Sequence, residues 1–255
     1  MLTYEVAAPR ATLTLNDPDR RNPMSVDVMR SLLDGLKAAT ADSAVKVIVL
    51  TGAGDRAFSA GGDLSGGFVD EPIALHHARG VLADIFKTMR RGGKPTIARV
   101  NGHALAGGFG LAAACDIVIA VDRAKFGTPE INVGLWPMMI SAILQRTIPR
   151  KAALELMMTG RLITADEALR LGVVSRVVAA ESLDEVVDET VANLAGKSSA
   201  VLGLGRDAFY AVEDMALDAA LDHLQSGLTL VSMTEDAAEG VAAFAEKRPP
   251  EWRGR

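Results

Sequence analysis

Pro95-Thr96-Ile97-Ala98-Arg99-Val100-Asn101-Gly102-His103-Ala104-Leu105-Ala106-Gly107-Gly108-Phe109-Gly110-Leu111-Ala112-Ala113-Ala114-Cys115 reads as a short apolar strand, then a glycine-rich turn, then an alanine-rich helix. A strand-to-turn junction made of residues with little or no side chain lets a ligand approach backbone N–H groups. The start of the following helix adds unpaired N–H donors and positive partial charge. A second junction, Phe58-Ser59-Ala60-Gly61-Gly62-Asp63-Leu64, follows the apolar run at residues 45–50. Two such turns facing each other can hold an oxyanion between two N–H groups. Tight turns and close packing would also account for the same glycines. A rival reading takes Gly108-Phe109-Gly110-Leu111-Ala112-Ala113 as a G-x-G-x-x-A dinucleotide fingerprint, with Glu130 twenty residues beyond Gly110 as its ribose acid. That acid should end the next strand, whereas Glu130 follows a Phe-Gly-Thr-Pro turn beyond the Ile117–Val121 run.

Outward from this stretch, strands and helices alternate. Ala11-Thr12-Leu13-Thr14-Leu15 alternates as a half-buried strand, and Val45-Lys46-Val47-Ile48-Val49-Leu50 is nearly continuous, as a strand covered on both faces. Val26, Met29, Leu32, Leu33 and Leu36 form a helical stripe after Ser25, a candidate N-cap. Leu75, Ala78, Leu82, Ile85, Phe86 and Met89 form another. Thr164-Ala165-Asp166-Glu167 reads as a capping box with Gly172 as the helix stop. Leu183, Val186, Val187, Val191 and Leu194 continue the helical texture, which runs to about residue 244. The expectation is an α/β core over residues 1–195 and a helical C-terminal region over residues 196–255, of a kind that packs on neighbouring subunits.

Composition narrows the function. Hydrophobic residues make up 49% of the 255 and charged residues 23%, a globular balance. The net charge of −5 argues against holding nucleic acid by general electrostatics, though not against a small phosphorylated ligand. The single cysteine, Cys115, excludes an internal disulfide and a multi-cysteine metal site, and its Ala-Ala-Ala-Cys setting suggests an inert core thiol. No His, Asp and Glu grouping has metal-ligand spacing, so no metal is expected. The N-terminus shows no signal-peptide pattern, and the longest uncharged stretch, residues 100–115, is too short to span a bilayer. A cytoplasmic protein that does not enter membranes is expected.

Six blocks, in order, then resemble one family, the crotonase or enoyl-CoA hydratase/isomerase superfamily. They are Asp17-Pro18-Asp19-Arg20-Arg21-Asn22-Pro23-Met24; residues 57–64; Asn101-Gly102-His103-Ala104 through Gly108 with Ala114-Cys115-Asp116-Ile117; Phe126-Gly127-Thr128-Pro129-Glu130-Ile131; Thr159-Gly160, residues 165–168 and Gly172-Val173-Val174; and Phe244-Ala245-Glu246-Lys247-Arg248-Pro249-Pro250. The resemblance implies stacked ββα turns wound as a spiral, with C-terminal helices that form a homotrimer or a dimer of trimers. It implies an acyl-CoA substrate and no cofactor beyond that coenzyme A. The thioester oxygen would sit between the N–H groups of Ala60 and Gly107. Gly61, Gly62, Asp63 and Leu64 would line the adenine and pantetheine path. Arg20 and Arg21 would lie near the CoA phosphates, with Lys247 and Arg248 as further cations that could serve a neighbouring subunit's ligand.

Glu130 matches the family's carboxylate. An enolate formed at the thioester needs an oxyanion hole, and a carboxyl group beside it moves the proton at the adjacent carbon. An apolar pocket would raise the pKa of that carboxyl, as a shuttle requires. Family hydratases carry a second Glu at the position that aligns with Gly110. Adding water uses two carboxylates around one water, whereas a 1,3-proton shift from a 3-enoyl to a 2-enoyl thioester uses one. Gly110 therefore favours an isomerase; a 2-enoyl-CoA hydratase and a non-catalytic acyl-CoA binder are the alternatives. Trp136-Pro137-Met138-Met139-Ile140 stands where many hydratases have Pro-Gly-Ala-Gly-Gly, so the acyl pocket is narrowed or these methionines pack the core. Asp70 and Glu71 could replace the missing acid or be solvated loop charges, and His76 and His77 carry the same two readings. His103 reads as a packed residue.

Overall fold

The computed structural model describes residues 1–63 and 72–255. An antiparallel hairpin opens the chain, β1 (Leu2–Ala7) and β2 (Arg10–Leu15). Helix α1 (Val26–Ala41) follows; Ser25 Oγ accepts the Val28 N–H at 3.3 Å, the expected cap. Its stripe of Val28, Leu32, Leu33 and Leu36 is buried. Then come β3 (Val47–Gly52), β4 (Ala57–Ser59) and α2 (Pro72–Arg91); β5 (Thr96–Val100), β6 (His103–Leu105) and α3 (Gly107–Ala113); and β7 (Ile117–Val121) and β8 (Lys125–Gly127), which lead into a 3-10 turn at Pro129–Val133. Each unit repeats the sequence long strand, short strand, helical segment. Helices α4 (Met138–Thr147) and α5 (Arg150–Thr159), strand β9 (Leu162–Thr164), α6 (Ala165–Leu171), β10 (Arg176–Val178), α7 (Leu183–Ala195), α8 (Ser199–Ala211), α9 (Leu217–Ser232) and α10 (Glu235–Glu246) complete the chain.

The long strands form a six-stranded sheet in the order β1-β2-β3-β5-β7-β10, parallel throughout except for the hairpin. The short strands form a four-stranded sheet in the order β4-β6-β8-β9, with β4, β6 and β8 parallel and β9 antiparallel. This is the expected ββα spiral, each unit laying one strand in each sheet. All six residues of β3 are buried, which explains its near-continuous apolar run. The sequence reading had the stretch around His103 as turn and placed the helix at Leu111. Pairing with β4 and β8 instead makes a strand of residues 103–105, and the Phe109 and Gly110 amides both donate to Ala106 O, starting the helix at Gly107. Thr164 Oγ1 caps α6 by accepting the Glu167 N–H at 3.2 Å. The Glu167 carboxylate does not complete the box, because it pairs with Arg161 at 2.8 Å.

Helices α8 and α9 bury no residue in the isolated chain. Arg206 fastens α8 to the core. Its guanidinium pairs with Asp116 at 2.9 Å and donates to the Met89 and Arg90 carbonyls at the end of α2. Asp116 also accepts from Thr96 and from the Tyr210 hydroxyl at 2.7 Å.

Candidate active site

Strands β4, β6 and β8 run parallel and side by side, so their C-terminal ends open on one edge, where ligands of parallel sheets bind. Residues 60–63 leave the first strand, Ala106 and Gly107 the second, and Thr128 to Glu130 the third. The first two turns touch. A Cβ on Gly61, which has φ +96°, would lie 3.0 Å from Leu105 O and 3.1 Å from Gly107 N. A Cβ on Gly107 would stand 2.8 Å from Met24 Cε and 3.8 Å from Gly62 N. Gly108 is pressed against Ser59 O in the same way, at 2.6 Å. Glycine is required here because backbone meets backbone. Ala106, at φ 52° and ψ −129°, holds a strained conformation at the bend between the second strand and α3.

The early turn braces this arrangement. Asn22 is buried and donates to Ala53 O and Ala57 O at 3.0 and 2.8 Å. Ser59 Oγ donates to Asn22 O and accepts the Gly61 N–H. The Met24 N–H donates to Gly61 O at 2.8 Å, and the Asp63 N–H donates to Met24 O at 3.2 Å. These bonds decide which amides remain for a ligand. The Ala60 N–H, expected to be an oxyanion donor, already donates to Arg21 O at 2.9 Å. The free amide of that turn belongs to Gly62, which faces Gly107. Gly107, first in its helix, likewise has no acceptor among the described residues. Among the described residues, the amides left without an acceptor where the two turns meet are those of Gly62 and Gly107. Sequence reasoning missed this because the choice of donor depends on pairing with residues about forty positions away.

Glu130 lies in the 3-10 turn just past β8, whose end is tied to the second glycine turn by the bond from Ala106 N–H to Gly127 O at 2.9 Å. Its Oε2 is buried without a hydrogen-bond partner among the described residues. Burial pushes its carboxyl above the ordinary glutamate range, partly offset by its own backbone N–H. The neighbouring Thr128 is fully buried, and its Oγ1 also lacks a partner. Each such orphan costs about 1–3 kcal/mol, so two at one strand end mark a functional place.

Opposite Gly110, the space is filled. A Cβ there would lie 2.6 Å from Ile140 Cβ and 3.5 Å from Phe86 Cζ, and Ile140 is 2% exposed. Met139 packs partly against the core, whereas Met138 is exposed. The sequence reading did not single out Ile140 as the neighbour of Gly110.

The other candidates fall as follows. Arg20 pairs with Asp63 at 2.7 Å and lies 3.6 Å from Asp17, so its charge ties the early turn to the first glycine turn. Arg21 is exposed, and its guanidinium has no partner among the described residues. Lys247 caps α10, whose packing partners are α8 and α9. The neighbouring Arg248 pairs with Glu239 at 2.6 Å. Leu64, Asp70 and Glu71 lie outside the described residues. His76 and His77 are exposed on α2, with their rings in edge contact. His103 accepts the Lys125 N–H through Nδ1 at 3.1 Å, and burial with nearby Lys125, Arg21 and Arg123 lowers its pKa. Cys115 is buried, and burial raises its thiol pKa strongly. Among the described residues no group of three His, Cys, Asp or Glu could hold a metal ion, and no helix is long and apolar enough to cross a membrane.

Sequence comparison agrees with this geometry. The enoyl-CoA hydratase/isomerase profile matches residues 7–255. The chain belongs to the enoyl-CoA hydratase/isomerase family. It is an enzyme of the crotonase superfamily. A putative enoyl-CoA hydratase of Thermus thermophilus is 38% identical over 246 residues, spanning 94% of this chain and 96% of the relative. The 2,3-dehydroadipyl-CoA hydratase of Escherichia coli is 34% identical over 246 residues, spanning 95% and 94%. An enoyl-CoA hydratase structure from Mycobacterium smegmatis superposes with a TM-score of 0.94 at 34% identity, covering 98% of both chains. In this enoyl-CoA hydratase/isomerase family member, the ends of β4, β6 and β8 therefore carry the Gly62 and Gly107 amides and the Glu130 carboxyl.

Proposed function

We propose that the protein moves the double bond of a 3-enoyl-CoA to the 2-position, with Glu130 as the single group that carries the proton. The Gly62 and Gly107 amides would hold the thioester oxygen. Glu130 as carboxylate takes a proton from C2, and the electron pair passes into the thioester as an enolate. The two N–H groups stabilise that oxyanion. Glu130 then returns the proton at C4, the double bond shifts, and no atom is gained or lost. Burial keeps the Glu130 pKa raised, which strengthens it as the base and readies its proton for return.

The observation that carries the isomerase reading is the contact of Gly110 with Ile140 and Phe86, which leaves no room for a second acid. The hydratase reading is the alternative, supported by the names of the Thermus thermophilus and Escherichia coli relatives. The coenzyme would be bound as part of the substrate, with Arg21 toward its phosphates and Gly61, Gly62 and Asp63 along its path, in the cytoplasm. Residues 1–195 would carry the site, and residues 196–255 would associate. The exposed Phe209, Leu217, Leu221, Leu228, Val241 and Phe244 on α8, α9 and α10 support assembly as a trimer or a dimer of trimers.

A paired assay tests the subtype by following conjugated enoyl-thioester absorbance with a 3-enoyl-CoA and a matched 2-enoyl-CoA. Growth with the first and no decay with the second is expected. Decay of the second into a 3-hydroxyacyl product would establish the hydratase instead. Glu130→Gln should lower turnover by about 10²–10⁴-fold in either case, and wild-type turnover in that variant would remove Glu130 from the mechanism.

A further inference from the structure

We propose that Thr128 is a positioning residue for Glu130, its hydroxyl bonding the carboxyl in both protonation states during turnover. The inference rests on the reading of Glu130 as the proton carrier. Thr128 Oγ1 and Glu130 Oε2 are the two buried side-chain polar atoms without a partner among the described residues, and they stand two positions apart. The two atoms are not hydrogen-bonded to each other in this structure; two residues span at most about 7 Å of backbone, within the joint reach of a Thr and a Glu side chain.

Thr128 also occupies the N-cap position of the 3-10 turn, where a threonine ordinarily accepts a backbone N–H, yet it makes no such bond. The hydroxyl is thus withheld from the local structural task and kept fully buried. A hydroxyl donates one proton and accepts through two lone pairs. It can donate to Glu130 as carboxylate and accept from Glu130 as acid, so it orients the carboxyl in both states and holds the carboxylate more strongly, because a hydrogen bond to a charged acceptor is the stronger one. An ammonium or guanidinium, which only donates, would hold Glu130 ionised and oppose its protonation at C2. The hydroxyl is also uncharged, so it adds no acid to the site and is compatible with a single proton carrier.

The test compares Thr128→Val, which keeps shape and deletes the hydroxyl, with Thr128→Ser, which keeps the hydroxyl. Thr128→Val should lose about ten- to a hundredfold in kcat with KM nearly unchanged, as expected when a hydrogen bond to a charged group is lost. The acid limb of its kcat/KM profile should move up by about one pH unit, because the charged form has lost a donor. Thr128→Ser should stay within about threefold of wild type. The apo Thr128→Val protein should melt at or above the wild-type temperature, because a buried hydroxyl without a partner has been removed. A hydroxyl that only stabilises the fold would give the opposite, a lower melting temperature with an unmoved pH profile. Unchanged kcat, an unmoved acid limb or a lower melting temperature in Thr128→Val would each overturn the proposal. Glu130→Gln, assayed in parallel, reads the proton carrier itself, so failure of one reading is separable from failure of the other.

Discussion

Adding one methyl group at Gly110 should damage both the fold and the turnover. The new Cβ would stand 2.6 Å from Ile140 Cβ, well inside the 3.4 Å at which ordinary contact begins. Both atoms are fixed by their backbones, so no rotamer change separates them, and α3 must move away from α4. Overpacking of this kind costs about 1–3 kcal/mol, here toward the upper end, while replacing a helical glycine with alanine returns about 0.5–1 kcal/mol. The net cost of Gly110→Ala is about 2 kcal/mol, or a fall of roughly 4–8 °C in melting temperature for a chain of this size. Because α3 begins at Gly107, its displacement moves a proposed oxyanion donor, and an error near 1 Å costs about 10²-fold in rate. Thermal unfolding of a double-mutant cycle measures the contact directly. Ile140→Gly removes the clashing Cβ, so Gly110→Ala should be close to neutral in that background, a coupling of about 2 kcal/mol. Ile140→Ala keeps the Cβ and should not rescue. A melting temperature for Gly110→Ala within about 1 °C of wild type, or equal rescue by Ile140→Ala and Ile140→Gly, would show that Ile140 does not hold this place.

The raised Glu130 pKa has a stability signature: the folded state binds that proton more tightly than the unfolded chain, so its stability falls as pH rises from the ordinary glutamate value of 4.5 through the folded pKa. Glu130→Gln should therefore melt above wild type at pH 8 and lose that advantage at pH 4; equal melting at both would mean the carboxyl is solvated. Asp236 is buried and accepts from Ser198 Oγ, Arg253 N and Gly254 N, at 2.5, 2.7 and 2.9 Å. Its replacement by Ala strands those three donors and should cost about 3 kcal/mol, with early tryptic release of the C-terminal tail in limited proteolysis; an intact tail would count against the latch. Leu228 is 69% exposed on α9, and Leu228→Asp should convert the assembly to monomer in light scattering after size exclusion, provided the wild type is oligomeric; a monomeric wild type would end that reading.

The sequence carried the parts of the fold that depend on local pattern. Ser25, Thr164 and Gly172 mark their helix ends because capping and left-handed stops are set by one or two neighbouring residues. The buried run of β3 and the strand Ile117–Val121 announce themselves by continuous apolar content. Strands β4, β6, β8 and β9 are three residues each, too short for any period, and exist because of their partners in the second sheet. The site divides along the same line. Gly107 and Glu130 were singled out through the glycine turn and the Phe-Gly-Thr-Pro-Glu segment. That the Ala60 amide is engaged by Arg21 O was not legible, because that bond joins residues about forty positions apart. Thr128 and Ile140 become visible only through what surrounds them, one lacking a partner and the other filling a space.

Gly107 and Gly110 lie one helical turn apart in α3 and are bare for different reasons. Gly107 lets Met24 and the first glycine turn approach its amide, the proposed oxyanion donor. Gly110 lets Ile140 of α4 approach the backbone, and so excludes a side chain from the position where the family's hydratases carry their second acid. The two requirements are coupled through one short rigid segment, since whatever shifts α3 to make room at Gly110 also shifts the donor at Gly107. A second carboxylate therefore cannot be installed here by one substitution. It needs a simultaneous change on α4 that removes the Ile140 Cβ while keeping α3 where it stands. Close-packed interiors resist paired changes of that kind far more than single surface ones. By this argument the packing of α3 on α4, and not the glycine alone, keeps a second acid from position 110.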